Sequence, residues 1–154
     1  MNFLDLCQRL VQETGIADEG PATVTGQTGD MGRIVNWIND AWLKIQSIRA
    51  DWNWAWSTGT STLTAATNTV TLPATVETIK RVSIGQGFLQ ALDYNDFADN
   101  YRVIQDGDPS VYSIKPDGTL CFSSKPTENK TVSYESYATP VALVNNTDVP
   151  AMPE

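Results

Sequence analysis

Three tryptophans have a spacing that could serve ligand binding. Trp52, Trp54 and Trp56 alternate with Asn53 and Ala55. Alternate residues of a β-strand point to the same face, so this pattern predicts a strand with three indole rings side by side. Such a row can stack sugars or nucleobases. It can also pack in a core or a subunit interface, where aromatic side chains dominate the energetics, and we favour packing.

Carboxylates are the other groups that could do chemistry. One protonated and one ionised carboxyl group suffice for glycoside hydrolysis, but 18 Asp and Glu residues guarantee chance pairs. A two-carboxylate hydrolase is therefore an alternative without a specific motif. Asp106 and Asp108 flank Gly107 and could hold a hard cation, yet the full spacing and the terminal Glu of a calcium loop are missing. We interpret this segment as a solvated turn.

Other catalytic and cofactor motifs are absent from the sequence. It contains no histidine, the commonest general base and metal ligand. No P-loop, GxGxxG or HExxH pattern occurs, and Gly85-Gln86-Gly87 is predicted to be a hairpin turn because the third glycine is missing. Cys7 and Cys121 belong to no CxxC motif and are predicted to be small buried residues. We therefore predict a protein that is not an enzyme, with no catalytic residue, metal or cofactor.

The composition indicates a folded, acidic chain. Its 154 residues are 41% hydrophobic and include five Trp and five Tyr, so global disorder is excluded. The net charge is 10 − 18 = −8, which lacks the basic footprint of a protein that grips phosphate backbones. This acidity is typical of soluble proteins, and it also suits a surface past which DNA must slide without sticking.

The start of the chain and its hydropathy argue against export and membrane insertion. Asp5 and Arg9 interrupt the first apolar stretch, and no basic leader precedes it, so no secretory signal is predicted. No run of about 18 apolar residues occurs that could span a membrane. We expect a soluble protein made in the cytosol.

Two helices are predicted before residue 51. The first covers residues 2–14, with Asn2 as N-cap and Gly15 as the stop. The second begins near Gly29 and has the strongest periodicity in the chain. Its apolar stripe consists of Met31, Ile34, Val35, Ile38, Trp42 and Ile45. Trp37 and Leu43 lie off this stripe, so the helix has surplus apolar surface that predicts a second packing partner.

After Asp51 the pattern changes to that of β-strands. Strands are predicted at residues 60–64, 69–72, 79–84, 88–92, 111–115, 120–123 and 131–137. The clearest hairpin turn is Pro116-Asp117-Gly118. Asp93 is predicted to cap a short helix in which Phe97 is the apolar anchor, and residues 105–109 are predicted to be a polar loop.

This order of elements predicts an α+β fold. Two N-terminal helices would pack beside an antiparallel β-sandwich or barrel-like sheet. Residues 1–51 form the predicted N-terminal helical part, and residues 52–154 form the predicted antiparallel β part. We expect the two parts to make one compact unit overall.

A family resemblance rests on segments at both ends of the chain. They are residues 3–10 with Gly15, residues 24–29 (VTGQTG), 34–38 (IVNWI), 45–46 (IQ), 51–52 (DW), 115–120 (KPDGTL), 134–135 (YE) and 148–153 (DVPAMP). Together they resemble the tailed-phage head-to-tail adaptor (connector) family over most of the chain. Members of that family typically continue past the last proline into a further helical segment. We therefore expect a C-terminal helical segment to be missing here.

The resemblance implies a structural protein of the virion, located at the head-tail junction. Copies of the chain would form a ring of twelve beneath the portal vertex. The implied partners are the portal protein above and a tail or nozzle protein below. DNA would pass through the ring without specific binding, and no membrane partner is implied.

A ring interface is heterologous, so one face of each subunit must match a different face of its neighbour. We predict that the second helix, around Arg33, Trp37 and Lys44, supplies one of these faces. The three-tryptophan row, Trp52, Trp54 and Trp56, is also a candidate subunit interface. The alternative function is a carbohydrate- or ligand-binding β module of a phage tail that uses this row. Exposed, coplanar indoles would favour the alternative, and buried indoles would favour the structural function.

Overall fold

The computed structural model describes residues 1–49 and 51–151. Three α-helices, one 3-10 turn and ten strands lie within these residues. The chain divides into two compact units, Met1–Ala55 with Pro140–Glu154, and Trp56–Thr139. Helices come first and mostly antiparallel strands follow, which confirms the predicted α+β class.

Helix α1 spans Phe3–Thr14, and the sequence sets both of its ends. The Asn2 side chain accepts a hydrogen bond from the Asp5 backbone N–H at 2.8 Å. The Asp5 carboxylate in turn accepts from the Asn2 N–H at 3.1 Å, which completes a capping box. Gly15 has a φ of 63°, a left-handed conformation that ends the helix. Both predicted ends are confirmed.

Helix α2 spans Gly29–Ile48 and packs with α1 around the core of the first unit. The buried members of this core are Phe3, Cys7, Val11, Val24, Ile34, Trp42 and Leu143. Burial raises the pKa of the Cys7 thiol to about 11. That thiol is therefore protonated at neutral pH and unreactive, as expected of a small core residue.

The second unit contains the strands and one short helix. The strands are β1 (Trp56–Leu63), β2 (Thr69–Val70), β3 (Val76–Ile84), β4 (Gly87–Phe88), β5 (Gln90–Ala91), β6 (Gln105–Asp106), β7 (Val111–Ile114), β8 (Leu120–Phe122), β9 (Ser124–Lys125) and β10 (Lys130–Ala138). Helix α3 spans Tyr94–Asn100 and follows β5.

Two four-stranded sheets share one core and form a sandwich. The first has the order β1-β10-β3-β4 and the second the order β2-β8-β7-β5. Their buried side chains meet in a single cluster made of Leu63, Val70, Val82, Tyr112, Leu120, Phe122, Val132 and Tyr134. Strands β6 and β9 form a separate two-stranded sheet. The β5–β7 and β6–β9 pairs are parallel. Each pair includes a strand of only two residues, which is too short for a sequence pattern to indicate its pairing.

The predicted turns and the predicted short helix are confirmed. The Asp117 carboxylate accepts a hydrogen bond from the Thr119 N–H at 2.9 Å and forms the turn between β7 and β8. Asp93 caps α3 by accepting from the Asn95 N–H at 2.9 Å. Phe97 is buried beneath the same helix.

Three local predictions are wrong. Residues 88–92 do not form one strand, because residues 87–88 pair with β3 and residues 90–91 pair with β7 in the other sheet. Residues 52–56 do not form one strand, because Asn53–Ala55 is a 3-10 turn and Trp56 opens β1. Tertiary packing of the indoles overrides the alternating pattern there. Residues 105–109 are not wholly loop, since residues 105 and 106 form β6. Parallel pairing with β9 supplies that strand, and no local pattern signals it.

A close contact between Gly59 and Tyr134 joins β1 to β10. The two residues are partners in the antiparallel register. A Cβ atom added at Gly59 would lie 2.5 Å from the Tyr134 Cζ and Oη atoms. The Tyr134 ring, only 6% exposed, thus occupies the space above the glycine and completes the core cluster. Only glycine leaves room for this ring.

Gly59→Ala is expected to lower the free energy of unfolding of the second unit by about 1 to 3 kcal/mol, the usual cost of overpacking a core. Gly87→Ala is the matched control, because the nearest atom to its added Cβ is the Ile84 carbonyl oxygen at 3.8 Å. It is expected to change stability by no more than about 0.5 kcal/mol. Urea unfolding measures both, and equal effects would contradict the proposed contact.

Candidate assembly surfaces

No cluster of groups suited to metal chemistry is found in the described residues. Nowhere within residues 1–49 and 51–151 do three His, Cys, Asp or Glu side chains come close enough to hold a metal ion. The predicted turn around Asp108 carries an ion pair instead: Lys130 Nζ lies 3.3 Å from the Asp108 carboxylate and 2.8 Å from Glu128. Hydrogen bonds to Glu128 and Asp108 raise the pKa of Lys130. Among the described helices, none is long and apolar enough to cross a membrane.

The three residues predicted on the second helix share one exposed face. Arg33, Trp37 and Lys44 are spaced by four and seven residues, and at 3.6 residues per turn they fall, with Ile48, within about 60° of the helix circumference. Trp37 is 53% exposed and Ile48 is 66% exposed. Arg33 forms an exposed ion pair with Asp30 at 3.2 Å. We call Arg33, Trp37, Lys44 and Ile48 the α2 outer face.

The α2 outer face combines two apolar side chains with two cationic ones, while the opposite side of the helix is buried in the core. An exposed tryptophan on a helix with a complete core is the surplus apolar surface that the sequence predicts. Ile48 is missing from the prediction because the regular apolar stripe ends at Ile45. That this face contacts a neighbouring copy stays a prediction.

The three-tryptophan row is not formed. Trp54 stacks on Trp42 with ring centroids 5.3 Å apart, and Trp52 stacks on Trp54 at 5.9 Å. The Trp52 indole N–H also donates to the Ile45 carbonyl at 3.0 Å. Trp52 and Trp54 are half-buried within the first unit, whereas Trp56 begins a strand of the second unit and is 48% exposed. The exposed coplanar indoles that ligand stacking requires are therefore absent from this segment, all of which is described.

The chain after Pro140 returns to the first unit and is held on α2 by side chains. The Gln46 amide is bidentate: its Nε2 donates to the Val141 carbonyl and its Oε1 accepts from the Val141 N–H, both at 3.0 Å. The Trp42 indole donates to the same carbonyl at 2.9 Å. Asn39 accepts from the Leu143 N–H at 2.9 Å. Because this segment, residues 140–151, has no strand partner, α2 side chains satisfy its backbone. We call it the tail strap.

The far end of the tail strap caps α1. The Phe3 N–H donates to the Asp148 carbonyl at 2.7 Å, and the Leu4 N–H donates to the Asn146 carbonyl at 3.2 Å. Two of the unpaired amides in the first turn of the helix are thereby satisfied. Asn146 Oδ1 also accepts from the Val24 N–H at 2.8 Å. One short segment therefore ties α1, α2 and their connecting loop together.

The Asp148 carboxylate stabilises a turn inside the tail strap. It accepts hydrogen bonds from the Val144 and Asn145 N–H groups at 2.7 and 2.8 Å. These two hydrogen bonds lower the pKa of Asp148 below its ordinary value of 3.8, and the bond from Asn145 contributes most. Because the pKa of Asp148 is lower in the folded chain than in the unfolded chain, the ionised carboxylate stabilises the turn fully at pH values above the unfolded-state pKa. This stabilisation is lost as the pH falls through the folded-state pKa.

Three valines of the tail strap face solvent. Val141, Val144 and Val149 are each 61% exposed. Hydrogen bonds fix the backbones of Val141 and Val144, so these two side chains are presented at little further entropic cost. They form a second apolar set on the first unit.

The outer face of the β1-β10-β3-β4 sheet is polar. Thr58, Glu135 and Arg81 are neighbours in the strand registers, and the Arg81 guanidinium lies 3.6 Å from the Glu135 carboxylate. The same guanidinium lies 4.8 Å from the centre of the Phe88 ring, which is 64% exposed. The shallow groove here has a volume of about 450 Å³. Its open, solvated lining does not form the concave, apolar site typical of small-molecule binding.

The chain is acidic and has exposed apolar side chains in both units, which are features of proteins that act through interaction surfaces. The family model of the SU10 adaptor protein matches the chain over residues 1–154. The chain therefore belongs to the SU10 adaptor protein family, which confirms the predicted resemblance to phage adaptors. No curated protein matches it.

Gln46→Leu is expected to lower the free energy of unfolding by about 1 to 3 kcal/mol, because it leaves the Val141 peptide and the Trp42 carbonyl without a partner from this side chain. Faster hydrogen exchange at the Val141 amide should accompany the loss. Gln12→Leu, on an exposed position of α1, is the matched control and should leave both measurements unchanged. An unaltered Val141 exchange rate in Gln46→Leu would show that the glutamine does not hold the tail strap.

Proposed function

We propose that this protein is a structural head-to-tail adaptor of a tailed phage. Copies of it form a ring between the portal and the tail, of twelve subunits as the family resemblance implies, and DNA passes through the centre. Its partners are other copies of itself, the portal protein and a tail or nozzle protein. It acts by packing, as a virion component at the head-tail junction, and not by catalysis.

The observation that carries this proposal is the α2 outer face. Trp37 and Ile48 remain more than half exposed on a helix whose other side already fills a core. A tryptophan buried at an interface is a typical energetic anchor. Arg33 and Lys44 flank these apolar side chains and supply the polar rim that protein interfaces have. Family membership supports association with other phage structural proteins, and the exposure of this face supports its assignment as the contact surface.

A closed ring also needs a second, different face on every subunit. The exposed tail strap valines, Val141, Val144 and Val149, are the candidate for such a face on the same unit. All three are apolar, and hydrogen bonds fix the backbones of Val141 and Val144, as suits a complement to Trp37 and Ile48. We infer that the α2 outer face of one copy contacts the tail strap of the next.

The net charge supports passage of DNA without binding. With 18 acidic and 10 basic residues the chain carries −8 at neutral pH. Six of the ten basic residues are already in ion pairs: Arg9, Arg33, Arg49, Arg81, Arg102 and Lys130. An acidic channel repels phosphate, so the genome would slide along it with no counterion release to retain it.

The ligand-binding alternative has less support. It required Trp52, Trp54 and Trp56 to form one exposed row, and two of these indoles stack within the first unit instead. Only Trp56 and Phe88 remain as exposed aromatic rings on the sandwich, where Arg81 lies over Phe88. Among the residues described, no aromatic platform for a sugar is left.

The proposed function is tested by light scattering with mass analysis of the purified chain, alone and mixed with the portal protein of its own phage. We expect a complex whose mass equals the portal plus a full ring of adaptor chains. A monomer in the absence of portal is compatible with this result, since rings of this kind can close only on their partner. No association in the mixture would overturn the proposal.

Trp37→Asp is expected to abolish or strongly reduce ring formation on the portal, because a buried carboxylate would replace an aromatic anchor. Unfolding should be nearly unaffected, since the residue is 53% exposed in the free chain. Gln12→Asp adds the same charge at an exposed site on α1 and should still assemble. If Trp37→Asp forms the complex as readily as Gln12→Asp, the α2 outer face is not an interface.

A further inference from the structure

Strand β1 is an open sheet edge. It lies at one end of the order β1-β10-β3-β4 and pairs only with β10. It is eight residues long, and five of those residues are exposed. The other edge strands of the two larger sheets, β2, β4 and β5, have two residues each. The sandwich therefore presents one long edge where a further strand can add.

Nothing in β1 protects this edge. Natural sheets block exposed edges with charged side chains, proline, bulges or very short strands. The β1 sequence, WSTGTSTL, has neither charge nor proline. Its register with β10 runs from Trp56 to Leu63 without a shift in this fully described segment. A long, regular and uncharged edge is a template for pairing with another chain.

The sequence of β1 favours one partner. Residues 57–61 read Ser-Thr-Gly-Thr-Ser, which is the same in both directions about Gly59. If two β1 strands pair antiparallel about Gly59, Thr58 of each lies opposite Thr60 of the other, and Ser57 lies opposite Ser61. Threonine and serine directly opposite each other stabilise antiparallel pairs. In this register, odd-numbered residues of one copy lie opposite odd-numbered residues of the other. The core-facing sides of the two sheets therefore lie on the same side of the joined sheet.

We propose that β1 is a strand-addition site for the β1 strand of a second copy of this chain. The two four-stranded sheets then join into one continuous eight-stranded sheet across a twofold axis that passes beside Gly59. The contact is isologous, with the same residues on both sides. Neither copy brings a charged side chain of its own β1 to the junction.

This inference goes beyond the proposed ring. A twofold contact cannot be the repeated neighbour contact of a cyclic ring, which joins two different faces. It concerns the free chain, whose open edge would otherwise be available to any extended peptide. The β1 edge belongs to the second unit, and the α2 outer face belongs to the first. The two surfaces can therefore be disabled separately.

The test is sedimentation equilibrium of the full chain over a range of concentrations. The unaltered chain is expected to show a reversible dimer. In the Thr58→Lys, Thr60→Lys double variant, the lysine at position 58 of each copy lies opposite the lysine at position 60 of the other. This repulsion should weaken dimerisation about tenfold or more. Thr78→Lys with Thr131→Lys adds the same charge to exposed threonines of β3 and β10 and should leave the dimer intact.

A charge exchange reports the register. The Thr58→Lys, Thr60→Glu double variant sets the new lysine of each copy opposite the new glutamate of the other, and this pairing should restore the dimer. The rescue depends on pairing about Gly59, because a shift by two residues would remove the match. A monomeric wild-type chain, or a double-lysine variant that dimerises normally, would overturn the proposal, and failed rescue would overturn this register.

The same variants separate this inference from the ring proposal. The double-lysine variant is expected to be monomeric alone and still to assemble with the portal protein. Trp37→Asp is expected to retain the free dimer and to fail with the portal. If the double-lysine variant also loses the portal complex while remaining folded by circular dichroism, β1 serves the ring instead of a free dimer, and the twofold proposal is wrong.

Discussion

The sandwich depends on strand β10, because it is the only described strand that pairs along its length with two long partners. Residues 130–138 pair with β1 on one side and with β3 on the other. The inward side chains of β10, Val132, Tyr134 and Ser136, are almost completely buried. Without β10, β1 would lose its only described partner strand, β3 would keep only its two-residue pairing with β4, and Gly59 would lose the ring that fills the space above it. The strand comes last in its sheet's chain order, so its pairing closes long loops and the sheet is complete only when residue 138 is in place.

The first unit uses a different source of stability. Two helices make only one contact face, which is a small core for a unit of this size. The tail strap enlarges it with Leu143 and fixes its own backbone through α2 side chains instead of a ladder. Hydrogen bonds from Gln46 and Trp42 are shielded within the unit, where an unpaired peptide would be costly. The apolar surface of the strap can then face outward, because its position does not depend on burying Val141 or Val144.

The sequence predicts the parts of this structure in which local chemistry decides. The helix ends at Asn2 and Gly15, the cap at Asp93 and the turn at Pro116 follow from side chains that act within four residues. The α2 outer face is predictable because Trp37 lies off a regular apolar stripe. The tail strap is not, since its hydrogen bonds join residues about 100 positions apart and it has no periodicity. The strand predicted for residues 52–56 fails for the same reason: a ring stack with Trp42 decides their conformation.

The acidity of the chain and its exposed apolar surfaces act against each other. Trp37, Ile48 and the open β1 edge would each promote association, whereas a net charge of −8 makes copies repel at distances up to the Debye length, about 8 to 10 Å at physiological salt. Repulsion of this kind slows random encounter but is overcome where faces fit closely. In the proposed ring, Lys44 reduces the local negative charge beside Trp37 and Arg33 balances Asp30, so the α2 outer face can approach an acidic neighbour. The net negative charge therefore disfavours non-specific aggregation. It disfavours the proposed contact less, because there the cationic and apolar groups of the α2 outer face meet a complementary face.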